Sequence, residues 1–209
     1  MSDPSPPGPK APRQRRSEET LRRILDGAMG LLARHDLDEI GVDQIAAASG
    51  VSVGVIYTRF KSKDDLLAFL LRERQIRQVA ELRERLAPQH WGGVGLAERF
   101  DWLAGQLAAT AGSHPGLIRA VFANLLSRRE TGAAARNAEA IELLSGWLMQ
   151  RREEIRARDP EAATRTVVSW FSYSVHLALL YGFPFPGVEP ETVIRELKAA
   201  ALARLASDA

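Results

Sequence analysis

The chain contains no cysteine, so disulfides, thiolate nucleophiles and cysteine-held metals are excluded from its chemistry. Its four histidines, His35, His90, His114 and His176, are scattered, and no pair stands four residues apart to grip a zinc ion from one helix face. An excess of one charge is missing too. With 28 Lys and Arg against 26 Asp and Glu the net charge is +2, so any surface for nucleic acid must be a local patch. The most apolar stretch, 167–183, carries Ser169, Ser172, Ser174 and His176 and ends at Pro184, which leaves it short of a membrane span. The N-terminal stretch lacks the apolar core of a signal peptide, and the expected location is the cytoplasm. Gly92, Gly93 and Gly95 are not followed by the Lys-Ser/Thr of a phosphate loop, and no nucleophile elbow is present. No catalytic constellation remains, no metal or other cofactor is called for, and an enzyme is not expected.

What is present is helical periodicity. No strand-period alternation, internal repeat or βαβ pattern interrupts it, so the expected fold class is all-α. At 209 residues and 45% hydrophobic, the chain can fill a small domain and a larger one. Residues 1–16 hold Pro4, Pro6, Pro7, Pro9 and Pro12 beside Lys10, Arg13, Arg15 and Arg16, and read as a disordered basic tail that adds nonspecific attraction. Ser17, followed by Glu18 and Glu19, is the expected N-cap of a first helix with Leu21, Ile24, Leu25, Ala28, Leu31 and Leu32 on one stripe. The expected division is a small domain over 17–64 and a larger one over 65–209.

The chain is organised around residues 42–63, VDQIAAASGVSVGVIYTRFKSK. Asp43 to Ser49 predicts a short helix, capped upstream by Gly41. Gly50 supplies a left-handed position that ends it, and Ser52 caps a second helix from Val53 to Phe60 that buries Ile56 and Phe60. Two short helices joined by a three-residue turn with glycine form a helix-turn-helix, whose second helix fits the DNA major groove. Gly54 is the odd residue, because a helix interior disfavours glycine by about 0.5–1 kcal/mol relative to alanine. Either DNA approaches the backbone there or the neighbouring helix crowds it. Ser62 with Asp65 predicts a capping box opening a long fourth helix.

The stretch IAAASGVSVGVIYTRFKSKDDLL resembles the TetR family of one-component transcription regulators, and the resemblance runs from about Thr20 to Leu71. It implies an N-terminal three-helix DNA-binding domain and a larger C-terminal helical domain for an effector and for dimerisation. DNA-contact positions would then be Gln44, Ser52, Val53, Gly54, Val55, Tyr57, Thr58, Arg59 and Lys63, with Tyr57 and Lys63 at positions that hold phosphate in the family. The partners implied are an operator in double-stranded DNA, a second copy of the chain and a small-molecule effector. Most simply the protein is a repressor released from a palindromic operator by that effector. A helical protein–protein adaptor with a vestigial reading head is the alternative, with Gly41, Val53 and Val55 in its favour.

In the larger half, Ile76, Val79, Leu82 and Leu86 are expected to continue the fourth helix as core positions, and a helix from about Thr131 to Arg158 buries Ile141, Leu144, Trp147, Leu148 and Ile155. Asp159-Pro160-Glu161 restarts the chain into the apolar 167–183 helix. A helix apolar on every face needs covering on every face. A second copy is the expected cover, with Val175, Leu179, Leu180, Val193, Leu197 and Ala201 at the interface. An effector cavity would be lined by Phe100, Asn124, Trp147, Tyr173 and His176.

Overall fold

The structure, a computed structural model, describes residues 12–127, 133–182 and 187–208, and among them it holds nine α-helices and no strand. In chain order these are α1 (Pro12–Leu32), α2 (Val42–Ser49), α3 (Val53–Tyr57), α4 (Lys63–Arg85), α5 (Leu96–Ser113), α6 (Pro115–Ser127), α7 (Ala133–Met149), α8 (Pro160–Tyr181) and α9 (Pro190–Ala206).

Two apolar cores organise them. The first gathers Ile24 and Ala28 of α1, Ile45 of α2, Ile56 of α3 and Leu66 and Leu70 of α4. The second is built from Phe100, Trp147, Leu148, Val167, Phe171 and Leu205 across α5, α7, α8 and α9. α6 belongs to the larger half in sequence but to the first core in space, since Leu117 and Ala120 are buried with α1 and α4. Its start lies so close to the end of α1 that a Cβ on Gly116 would collide with the carbonyl of His35 and come within 2.8 Å of that of Leu32. Arg119 Nε then reaches Asp36 at 2.5 Å. The larger half therefore grips the reading head through one helix with no room for a side chain at its second residue.

Local chemistry explains most boundaries. Gly50 has φ 63 and its N–H closes α2 onto the carbonyls of Ala46 and Ala47, as the turn requires. Asp159 accepts from the N–H of Ala162 at 3.0 Å, with Pro160 at the first helical position.

Several expected boundaries and burials are corrected. α1 begins at Pro12 rather than after Ser17, so residues 12–16 are helical and not a tail. Proline costs nothing at a first helical position, where its missing N–H would have no partner. α3 ends at Tyr57 rather than Phe60, because the chain tightens there: Arg59 N–H bonds the carbonyl of Ile56 three residues back, and Phe60 is buried from within the turn. α7 ends at Met149 rather than near Arg158. The Trp147 carbonyl is taken by the Arg99 guanidinium, Arg151 N–H turns to the carbonyl of Leu148, and a short 3-10 turn over Arg152–Glu154 follows. Ile76 is half exposed rather than in the core.

α8 is the largest correction. One face, including Val167, Phe171, Val175 and Ala178, is buried by the chain's own α5, α7 and α9. Val175, Val193 and Ala201 are therefore core residues of a single copy and have no surface to offer a second one. Leu179 and Leu197 pack partly onto the same core, and Leu180 stays half-buried. The apolar periphery of α8 is thus divided, and only its remaining part lacks cover. No described helix is long and apolar enough to cross a membrane.

Candidate nucleic-acid interface

The corner between α2 and α3 leaves one face of the protein without internal packing. Ile56 points inward and is buried, while Ser52, Gly54, Tyr57 and Thr58 are exposed and Val55 is half-buried. Val53 and Tyr57 are 39% and 52% exposed, so both are open to another molecule on this face. Ser52 accepts from the N–H of Val55 at 3.4 Å, so its hydroxyl fixes the start of α3. A Cβ on Gly54 would meet nothing closer than the Ser52 hydroxyl at 3.8 Å. Crowding by the neighbouring helix therefore does not account for this glycine.

Other predicted contact residues are engaged within the chain. Gln44 is exposed, but its side-chain oxygen accepts from the Gly41 N–H at 2.6 Å, the return half of a capping box whose other half Gly41 cannot make. Thr58 donates to the carbonyl of Val55 at 2.8 Å. Arg59 donates to Ser17 at 3.1 Å, which ties the turn after α3 to the first part of α1. Lys63 Nζ donates to the carbonyls of Leu37 and Ile40 at 3.1 and 2.7 Å, so its ammonium caps the short 3-10 turn before α2. The sequence shows these charges but not their inward targets.

Known proteins share this helix-turn-helix sequence and this fold. Residues 24–69 match the family described as bacterial regulatory proteins of the tetR family, and residues 95–205, more than half the chain, match the tetracyclin repressor-like C-terminal domain. The chain belongs to the TetR family. An HTH-type transcriptional repressor of Mycobacterium tuberculosis is 31% identical over 141 residues, covering 66% of this chain and 69% of its own length. Among solved structures, a TetR-family regulator from Mesorhizobium loti superposes with TM-score 0.66 at 18% identity, over 91% of this chain and 97% of that one. Bacillus subtilis FadR, solved in complex with stearoyl-CoA, does so with TM-score 0.58 at 19% identity, over 90% and 98%. At these identities the structures speak for the fold alone. This TetR-family protein is accordingly a DNA-binding transcriptional regulator, and nothing favours the adaptor reading.

The five residues expected around an effector separate into two groups. Phe100 is fully buried edge-on to Phe171, with centroids 5.1 Å apart, and Trp147 is wedged between Trp91 and Trp102. Both are packing residues. Tyr173 and His176 instead meet at Phe122 of α6, each ring 5.7 Å from it. Asn124 lies outside the described side chains. Burial lowers the His176 pKa to about 4, offset in part by a hydrogen bond to the Ser172 carbonyl.

Arg99 is the residue the sequence reading missed. It is 1% exposed and bonds the carbonyls of Trp91, Val94 and Trp147 and the Gln150 side chain, with its guanidinium 5.2 Å from the Trp147 ring. Burial, then the charge of Arg151, pull its pKa below the usual arginine value. Its register, three after Leu96 and four before Leu103, was the available signal.

Proposed function

We propose that this regulator works as a homodimeric repressor, placing α3 of each copy in the major groove of a roughly palindromic operator and leaving it when a small effector occupies the larger half. The observation that carries the reading is the first turn of α3: Val53 and Tyr57 stand in water on either side of a glycine that nothing in the chain crowds. Valines offer apolar contact, such as to a thymine methyl, so base readout leans on Thr58 and DNA shape. Tyr57 is available to phosphate. Lys63 contributes mainly by holding the turn that positions α2.

For dimerisation the candidates narrow to Leu180, with Leu179 and Leu197 beside it, next to the half-exposed Tyr181. Leu180→Asp should leave the fold intact and shift the particle from about twice the 23.0 kDa chain mass to the monomer in light scattering. Unchanged mass would remove Leu180 from the interface. The test of the whole reading is fluorescence anisotropy on duplex DNA from upstream of the protein's own gene, against a scrambled duplex at fixed salt. Binding tighter by a factor on the order of 10³ supports specific operator recognition, and equal binding of both overturns it.

A further inference from the structure

The outward surface of α3 is notable for the side chains it lacks. In the major groove, guanine is gripped by Arg or Lys and adenine by Asn or Gln, each through paired atoms of the base edge. None of these residue types occurs between Val51 and Thr58. The nearest on either side, Gln44 and Arg59, are engaged within the chain: Gln44 Oε1 accepts from the Gly41 N–H, and Arg59 donates to Ser17. Beyond the turn, Lys61 lies beside a cavity lined by Leu21, Asp65 and Phe69, and Lys63 is bonded to the carbonyls of Leu37 and Ile40. Ser52 and Tyr57 bring hydroxyls, which pair with more than one base and do not select among them.

Hydrocarbon is what α3 offers instead. Val53 is 39% exposed, and a Cβ on the neighbouring Gly54 would meet only the Ser52 hydroxyl. Thr58 stands one turn after Gly54, since its N–H bonds the Gly54 carbonyl at 3.0 Å. The Thr58 hydroxyl gives its proton back to the Val55 carbonyl at 2.8 Å, so the methyl is the part of this exposed side chain left to face outward. Val53 and the Thr58 methyl therefore flank the open backbone of Gly54 with apolar surface.

One base carries a hydrocarbon group on its major-groove edge, and it is thymine, through its 5-methyl. We propose that this regulator selects its operator by thymine methyls, seated over Gly54 between Val53 and the Thr58 methyl, with no guanine gripped from α3. The inference rests on the reading of α3 as the major-groove helix, and it adds the chemical group that this helix recognises.

The test alters the DNA and leaves the protein intact. Replacing thymine by deoxyuridine removes the 5-methyl and keeps every hydrogen-bonding atom of the base. On the upstream duplex at fixed salt, full replacement should weaken wild-type binding roughly tenfold or more in anisotropy titrations, with about fourfold at each contacted methyl, the worth of one buried carbon group. Single replacements along a half-site should confine the loss to the positions that face α3. Val53→Ala and Thr58→Ser trim hydrocarbon alone, and Thr58→Ser keeps the hydroxyl that bonds Val55. Each variant should bind the thymine duplex more weakly and lose most of the sensitivity to deoxyuridine at its own position. Equal binding of the thymine and deoxyuridine duplexes overturns the proposal. A deoxyuridine penalty undiminished in both variants overturns it too, because that penalty would come from DNA shape. The scrambled duplex separates the two levels. Specific binding that survives full replacement contradicts the methyl readout alone, whereas an unmodified duplex bound no better than the scrambled one contradicts the operator reading and the methyl readout together.

Discussion

The first turn of α3 and the middle of α8 break the ordinary rules of burial in opposite directions. α3 holds Val53 and Tyr57 out in water beside a glycine with free space around it. α8 and the neighbouring α5 do the reverse, drawing His176 and Arg99 into apolar surroundings. Buried polar groups are costly unless partners satisfy them, whereas exposed groups on a helix face stay available to another molecule. The reading head therefore presents its contacts outward. In the larger half, Arg99 is satisfied by carbonyls, whereas His176 Nε2 is buried without a partner among the described residues.

Removing Arg99 should give the largest effect of any single change on this contrast. Arg99→Leu leaves the carbonyls of Trp91, Val94 and Trp147 without their donor, and should destabilise the protein by about 3 kcal/mol or more in urea unfolding, since each buried acceptor left alone costs about 1–3 kcal/mol. A variant as stable as the wild type would mean that water replaces the guanidinium.

His176 supplies the next effect, through pH. Its folded pKa of about 4 lies below the ordinary 6.5, so the folded protein binds fewer protons than the unfolded chain between those values. Stability is fully present above pH 6.5 and is lost as pH falls toward 4, by roughly 3 kcal/mol from this group. His176→Leu should flatten that part of the stability profile measured by denaturant titration. An unchanged acid slope would place the loss elsewhere.

Lys63 tests which region it serves. Lys63→Met should cost about 1–2 kcal/mol of stability, as expected for an ammonium bonded to two carbonyls, and should leave the salt dependence of DNA binding unchanged. A salt slope smaller by about one per subunit would show that the ammonium exchanges the carbonyls of Leu37 and Ile40 for a phosphate.

The two regions were also unequally legible in the sequence. The corner around Gly50, the Ser52 and Ser62 caps and the inward Ile56 and Phe60 follow from local rules, because a cap or a left-handed turn depends on residues within four positions. Where local rules allowed two outcomes, the longer-range fold decided. Pro12 could open a helix as well as break one, and α1 extends to it. The end of α7 depended on Arg99, 48 residues away, capturing the Trp147 carbonyl. For the same reason Val175, Val193 and Ala201 were indistinguishable by hydropathy from residues available to a second copy, and only the packing of α8 and α9 within the chain buried them. Lys63 and Arg59 show the limit for charged groups, whose long side chains find partners that periodicity does not reveal.

The most direct test of the account is Gly54→Leu, with thermal stability and operator affinity measured on the same purified protein. The chain gives Gly54 open space, so the substitution should hold the melting temperature or raise it, in line with the roughly 0.5–1 kcal/mol by which a helix interior disfavours glycine. Operator binding should be lost, because a side chain at the first turn of α3 would stand between the backbone and the bases. A stable Gly54→Leu protein that binds its operator with wild-type affinity would contradict the claim that α3 is left bare for DNA.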